Sequence, residues 1–231
     1  MSYISRCHLP VRRRNVARSD PSVSPGQLLL IPDPPPAPDH VPRKFDYTAA
    51  MHRLIKDIAE KCPEFHHIDP SRVLAGITIA RKRGRYGLHA QIMQTRSRDK
   101  RLDLSEWSGL THDGREMLYV IEFCLPRFQN LGYPENLDTV FHELYHISPA
   151  FDGDIRRFAG RNRVHSSSKK YDALMAQFRR DYLSKVPATG PQAFLKYSFL
   201  ELSRRYGDVV GLRVRGRRRR SVGRTADRRS G

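Results

Sequence analysis

The sequence has few cysteines, few acidic residues and no long apolar run, and each shortage argues against a class of protein. Its three cysteines, Cys7, Cys62 and Cys124, are far apart and form no CxxC pair. We therefore expect neither a disulfide framework nor a cysteine-ligated zinc ribbon. A reducing, cytoplasmic setting fits this cysteine usage best. No apolar run is long enough to span a bilayer, so we expect no membrane association.

Basic residues outnumber the scarce acidic ones by 42 to 24, which gives a net charge of +18. Residues 1–44 carry seven basic and three acidic residues, a net of +4, and residues 208–231 carry nine arginines and two aspartates, a net of +7. Such charged ends favour contact with nucleic acid. A solvated basic tail that improves solubility is the alternative, because charge alone specifies no partner.

Composition divides the chain into three parts. Six prolines lie between residues 32 and 42, which predicts a stiff, extended segment that cannot donate hydrogen bonds to a sheet. We expect residues 1–44 to be a disordered arm rich in proline and arginine, and residues 45–207 to form one domain. Residues 208–231 are expected to be an arginine-rich tail with at most one short strand, DVVGLRVR, before a disordered end.

Helical and strand patterns follow each other in an order typical of an α+β fold. The nearly continuous apolar run EMLYVIEFCL, from residue 116, predicts a central strand. RVLAGITIARKR, from residue 72, predicts another strand, and YGLHAQIMQ, from residue 86, is its expected partner across a short turn. We expect a compact domain with a small antiparallel sheet and with helices at about 46–62, 137–147, 168–183 and 191–206.

The helix expected at 137–147 carries the segment HELYH, an HExxH pattern. Residues four apart lie on one helix face, with β-carbons about 5–6 Å apart. His142 and His146 can therefore bind one zinc ion, for which imidazole is a usual ligand. Glu143 points to the side, where it can reach a water on the metal and accept its proton as a general base. These are the mechanics of the zincin metalloproteases.

An ordinary surface helix is the alternative interpretation of the same segment. The apolar side chains of this helix form one stripe, made of Leu137, Val140, Phe141 and Leu144. The two histidines lie roughly 140–180° from the centre of that stripe, as they would on a polar face turned to solvent. HExxH also occurs by chance in unrelated proteins. The strand before the helix and the potential ligands after it favour the metal site.

A catalytic zinc usually takes three protein ligands and a water, so a third ligand is needed. Asp152 lies six residues after His146, the spacing of metzincins, but Pro149 stands where their pattern needs a glycine turn. Asp154 follows closely. His165 lies nineteen residues after His146, just ahead of a helix, and a neutral imidazole is the better companion for two histidines. We favour His165 and keep the two aspartates as alternatives.

The segment TVFHELYHISPAFDGDIRRFAGRNRVHSSSKKYD resembles the putative phage metallopeptidase family, as do HIDPSRVLAGITIARKRG and MLYVIEFCLPRFQNL upstream. The resemblance covers roughly residues 45–207. The family is in turn similar to SprT-like proteases, in which a third histidine follows HExxH by a loop and starts a helix. The resemblance implies three zinc ligands, His142, His146 and His165. It also implies Glu143 as the general base.

Together these observations predict a zinc-dependent metallopeptidase that hydrolyses peptide bonds in a protein or peptide substrate. An inactive zincin that only binds metal is one alternative, but a purely structural zinc needs no glutamate beside its ligands. A nucleic-acid-binding protein that acts through its arginine-rich tail is another, although the sequence contains no recognised nucleic-acid motif. Retention of Glu143 therefore favours the enzyme.

Overall fold

A computed structural model describes residues 3–9, 44–79, 87–104, 107–157 and 168–215 of the chain. The strands in these ranges are β1 (Tyr3–Leu9), β2 (Lys44–Asp46), β3 (Val73–Ile79), β4 (Ala90–Gln94), β5 (Thr111–His112), β6 (Arg115–Glu116), β7 (Tyr119–Leu125) and β8 (Asp208–Arg215). The helices are α1 (Tyr47–Lys61), α2 (Tyr133–Tyr145), α3 (Ser168–Leu183) and α4 (Phe199–Tyr206). Small sheets combine with several helices, so the predicted α+β class is confirmed.

Helix α1 forms where the apolar spacing predicts it. Asp46 caps its N-terminus, since the carboxylate accepts the N–H of Ala49 at 2.9 Å. Its buried stripe packs against β3 and β8 and consists of Met51, Leu54, Ile55 and Ile58. Helix α1 therefore packs against both sheets of the domain, through β3 in one and β8 in the other.

Strand β7 is the centre of the sheet β3-β7-β4 and is buried along its whole length, as its apolar run predicts. β3 pairs with β7 in parallel, and β4 pairs with it antiparallel, so the sheet is mixed. The prediction that β3 and β4 form a hairpin is wrong, because β7 lies between them. A short turn signal between two strands cannot reveal a third strand that enters much later in the chain.

A second sheet has the order β1-β8-β2, with β8 in the centre. Residues 3–9 are therefore a strand, although they belong to the arm predicted to be disordered. Strand β8 stands at the start of the predicted tail, and its Val209 has no solvent exposure. The rest of the arm, residues 10–43, and residues 216–231 of the tail lie outside the described residues.

The two sheets are in close contact through β3 and β8, and glycine makes this contact possible. A β-carbon added at Gly211 would lie 2.7 Å from Cδ1 of Ile77, a side chain with no solvent exposure. A β-carbon at Gly76 of β3 would lie 3.2 Å from Cγ2 of Val214. Larger residues would push the sheets apart, so β8 is an integral part of the packed core.

Helices α2 and α4 differ from their predicted limits, whereas α3 spans Ser168–Leu183 as predicted. Helix α2 begins at Tyr133, four residues before the predicted start. The helix predicted at 191–206 is divided, because Pro191–Lys196 form a 3₁₀ turn and α4 follows separately. Ser198 caps α4: its hydroxyl accepts the N–H of Glu201, and the Glu201 carboxylate accepts the Ser198 N–H at 2.6 Å. No helix in the described ranges combines the length and apolar character needed to cross a membrane.

Candidate metal centre

The C-terminal end of α2 brings the two histidines of the motif together. His142 lies in the last turn, and His146 is the C-terminal cap with a helical backbone conformation. Their Nε2 atoms lie 3.0 Å apart, and their ring centroids lie 4.7 Å apart. Two nitrogens that bind one tetrahedral zinc ion at about 2.0–2.1 Å are themselves about 3.3 Å apart. The two imidazoles therefore fit a shared metal ion with only a small adjustment.

At the motif, the polar side of α2 is largely covered by the protein rather than turned to solvent. His146 is 5% exposed, Glu143 is 6% exposed and His142 is half-buried. The apolar stripe on the other side of the helix is buried as well. An ordinary surface helix leaves its polar face in water, so the burial of both faces disagrees with that interpretation. Buried polar groups of this kind need a partner or a ligand.

The neighbouring sheet orients Glu143. Its carboxylate accepts the backbone N–H of Ile92, which belongs to the edge strand β4. Burial raises the pKa of Glu143 to about 7, and the hydrogen bond from Ile92 opposes that rise. A cation held by the adjacent histidines would lower this pKa again, because it favours the ionised carboxylate. The glutamate is thus fixed beside the histidine pair.

A cleft of about 450 Å³ opens beside His142 and Glu143. Residues of α2 and α3 form one wall, and the residues that lead into β4 form the other. His89 lies in this second wall, where its carbonyl oxygen accepts the N–H of Cys124 at 2.8 Å. Leu88 beside it is 50% exposed. The cleft therefore lies between the glutamate and a wall that contains a histidine and an exposed leucine.

His89 is the cleft residue that sequence reasoning missed. It belongs to no motif, and no regular spacing connects it with the HELYH segment. The fold brings it to the cleft because β4 lies beside α2 at the edge of the sheet. One signal could have found it: the residue stands in YGLHAQIMQ just before a predicted strand, and such connecting positions often carry functional side chains.

Tyr171 of α3 packs directly on the histidine pair. Its ring centroid lies 4.9 Å from that of His142 in an edge-to-face arrangement and 6.2 Å from that of His146 in a stacked one. The residue is 3% exposed, and burial raises the pKa of its hydroxyl well above the ordinary value. The buried ring therefore packs against both imidazoles.

The two aspartates considered as zinc ligands are engaged in hydrogen bonds within the protein. Asp154 is 4% exposed. Its carboxylate accepts hydrogen bonds from the side chain of Gln94, the backbone N–H of Arg98 and the guanidinium of Arg157. Asp152 accepts a hydrogen bond from the Arg98 guanidinium at 2.8 Å. These contacts tie the segment that follows α2 to β4 and to the loop after it.

A third zinc ligand is not found among the residues that the structure describes. His165, the favoured candidate, lies between the described ranges that end at residue 157 and begin at residue 168. Within the described residues, no three His, Cys, Asp or Glu side chains are grouped closely enough to hold a metal ion. The structure thus brings His142 and His146 together, and the third ligand stays a prediction.

A family model described as "Putative phage metallopeptidase" matches residues 44–178, more than half of the chain. The chain belongs to this family. Comparison with curated proteins and with solved structures finds no match. The phage metallopeptidase match runs from β2 into α3 and so contains the HELYH segment and His165. Family membership implies a metal cofactor and a protein or peptide substrate.

The fold of the chain extends beyond the range that the family model matches. Strand β1 precedes the match, and α4 and β8 follow it. Strand β8 pairs with β2 and packs on β3, both of which lie within the match. The sheet that carries the cleft is therefore backed by segments that the family model does not include.

Proposed function

We propose that the protein is a zinc-dependent peptidase of the HExxH type. His142 and His146 bind the metal, His165 completes the ligand set, and Glu143 is the general base. The observation that carries the proposal is the convergence of two imidazole nitrogens, 3.0 Å apart, beside a buried glutamate that faces a cleft. Imidazole is a preferred zinc donor, and the family membership supports the same chemistry.

Glu143 moves the proton in this reaction. Zinc, when bound, supplies a Lewis acid that lowers the pKa of water and polarises the peptide carbonyl. A carboxylate oxygen of Glu143 accepts the proton of the attacking water and later delivers it to the nitrogen of the leaving amine. The hydrogen bond from Ile92 keeps this carboxylate beside the histidines, and its burial limits access of bulk water.

The cleft suits a polypeptide in an extended conformation. Strand β4 pairs with β7 along one side, and its other side faces α2 and the cleft. Ala90, the first residue of β4, lines the cleft, and an extended chain can add to a strand edge through main-chain hydrogen bonds. Leu88 and His89 precede that point and are placed to contact substrate side chains. Main-chain recognition of this kind accepts many substrate sequences.

Hydrolysis and zinc content, measured in the wild-type chain and in Glu143→Gln, test the proposal. Glutamine has a similar size, and its amide oxygen can still accept the N–H of Ile92, so the site should keep its shape. We expect zinc to be retained and the hydrolysis rate to fall by at least about 100-fold, because the base is lost. Equal rates would contradict the role of Glu143. Failure of the zinc-loaded wild type to cleave unfolded protein substrates would contradict the peptidase itself.

We also propose that the protein works in a reducing, cytoplasmic environment. Cys62 and Cys124 are buried free thiols, and burial raises the pKa of each. Unpaired cysteines of this kind are usual where glutathione and thioredoxin keep thiols reduced. Fractionation of cells that produce the chain locates it directly, and recovery from an oxidising compartment would contradict the proposal.

A further inference from the structure

Tyr171 contacts both histidines of the motif with one ring. The ring meets His142 edge-on at 71° and lies nearly parallel to His146 at 27°. It is 3% exposed, so it fills the space between α3 and the end of α2. The phenol oxygen lies 3.4 Å from the carbonyl oxygen of His142, which is long for a hydrogen bond. The contact is therefore made mainly by the aromatic ring.

Imidazole rings do not keep one orientation without support. Rotation about the bond that joins an imidazole to its Cβ is broad, so the chain alone does not fix where Nε2 points. A metal ion needs both nitrogens aimed at one point, and any freedom of the rings in the metal-free protein lowers the affinity for the metal. The side chain that blocks ring rotation of His142 and His146 thus contributes to metal binding without touching the metal.

The packing of α3 on α2 does not by itself require this contact. Phe178, two turns further along α3, is 5% exposed and packs on Phe141 and Tyr145 of α2 at ring-centroid distances of 6.1 and 5.5 Å. Tyr171 shares the neighbour Tyr145, at a ring-centroid distance of 5.8 Å, and adds the contacts with the two metal-site histidines. A comparison of variants at Tyr171 and at Phe178 therefore distinguishes an effect on helix packing from an effect on the orientation of the histidines.

We propose that Tyr171 is a positioning residue of the metal site, whose ring holds the imidazoles of His142 and His146 in their converging orientations. The inference rests on the proposed zinc site and adds a determinant of its affinity. It requires the planar ring and not the hydroxyl, because the ring makes the contacts with both imidazoles. Removal of the ring should therefore weaken metal binding even in a folded protein, and removal of the hydroxyl should not.

Competition titration of zinc and the visible absorption of the cobalt(II) form test this inference on the full chain. In Tyr171→Leu we expect the metal affinity to fall by about 10–100-fold, the range for partners that orient ligands, and the cobalt bands to shift. Tyr171→Phe should bind both metals within about twofold of the wild type, since the ring is kept and the 3.4 Å contact of the hydroxyl with the His142 carbonyl is weak. Phe178→Leu should lose about as much thermal stability as Tyr171→Leu, but it should keep the metal affinity and the cobalt spectrum of the wild type. Tyr171→Met, which fills the space without a planar ring, replaces Tyr171→Leu if the latter does not fold.

The outcomes separate the inference from the proposed function. If a folded Tyr171→Leu or Tyr171→Met protein binds metal with the wild-type affinity, the positioning role is overturned and the proposed metal site is unaffected. An equal loss of metal affinity in Phe178→Leu would show that the effect comes from general helix packing, and this result would also overturn the positioning role. A wild-type chain that binds neither metal would overturn the proposed zinc site and this inference with it.

Discussion

The backbone N–H of Ile92 donates to the carboxylate of Glu143, which joins the edge of the central sheet to the helix that carries the histidine pair. Strand β4 therefore contributes twice to the candidate site. At Ile92 it fixes the proposed base, and at its start it lines the cleft. A displacement of this strand would move the base and the cleft wall together. The sheet is thus part of the site rather than a distant support.

Replacement of His89 by alanine is expected to impair catalysis without removing the metal. The residue lines the cleft, and within the described residues it completes no group of three metal donors. Loss of one substrate contact should lower kcat/KM by about tenfold or more, which corresponds to about 1.4 kcal/mol. His112→Ala is the control, because that histidine lies on the hairpin strand β5 and outside the cleft. An unchanged kcat/KM in His89→Ala would show that His89 takes no part in substrate binding or catalysis.

The choice of the third zinc ligand is tested by two alanine variants. His165→Ala should lower zinc affinity by at least about 100-fold, because two protein ligands seldom suffice for a catalytic zinc. Asp152→Ala should keep its zinc, since that carboxylate pairs with the guanidinium of Arg98. Equilibrium dialysis measures both affinities. Zinc loss in Asp152→Ala, with full retention in His165→Ala, would reverse the assignment and favour a metzincin-like arrangement.

Local periodicity explains which parts of the fold could be predicted. The apolar run of β7 and the stripe of α2 each specify one element, and the cap at Asp46 specifies the start of α1, so these elements were predictable. The pairing of β3 with β7 depends on residues far apart in the chain, and no turn between neighbouring strands encodes it. The position of His89 follows from the pairing of β4 with β7, which also joins residues far apart in the chain, and this is why the cleft could not be predicted.

Strand β1 illustrates a second limit of sequence reasoning. Tyr3–Leu9 stands ahead of an arginine-rich and proline-rich stretch whose composition indicated disorder. Its partner is β8, at the other end of the chain, and Ser5 lies opposite Arg213 in the register. A strand whose partner is so remote gives only a weak local signal. The motif residues could be identified because four-residue spacing on a helix is local.

Gly211→Ala is expected to destabilise the protein by about 1–3 kcal/mol, because the added methyl group would overlap Cδ1 of Ile77. Ile77→Val removes that carbon atom and should restore part of the lost stability in the double variant. Thermal unfolding of the two single variants and of the double variant measures this coupling. If the stability loss of the double variant equals the sum of the two single losses, β3 and β8 do not touch at these two residues.

The arginines after β8 are expected to bind nucleic acid through phosphate contacts. Residues 216–231 carry seven arginines and one aspartate, and their removal leaves β8 intact. A cut after Leu212 would instead remove the buried Val214 and destabilise the fold. The log of the affinity for duplex DNA should fall with log salt by about 0.9 per phosphate contact, and the truncation should flatten that slope. Identical binding of both proteins at every salt concentration would show that these arginines are only solvated.

The metal content of the purified chain, determined by mass spectrometry beside the variant His146→Ala, tests the central claim most directly. The account predicts about one zinc per wild-type chain and the loss of most of it in the variant, because the convergence of His142 and His146 forms the core of the site. Circular dichroism shows whether both proteins are folded. A folded wild type without bound metal, or a variant with the full wild-type zinc content, would contradict the account.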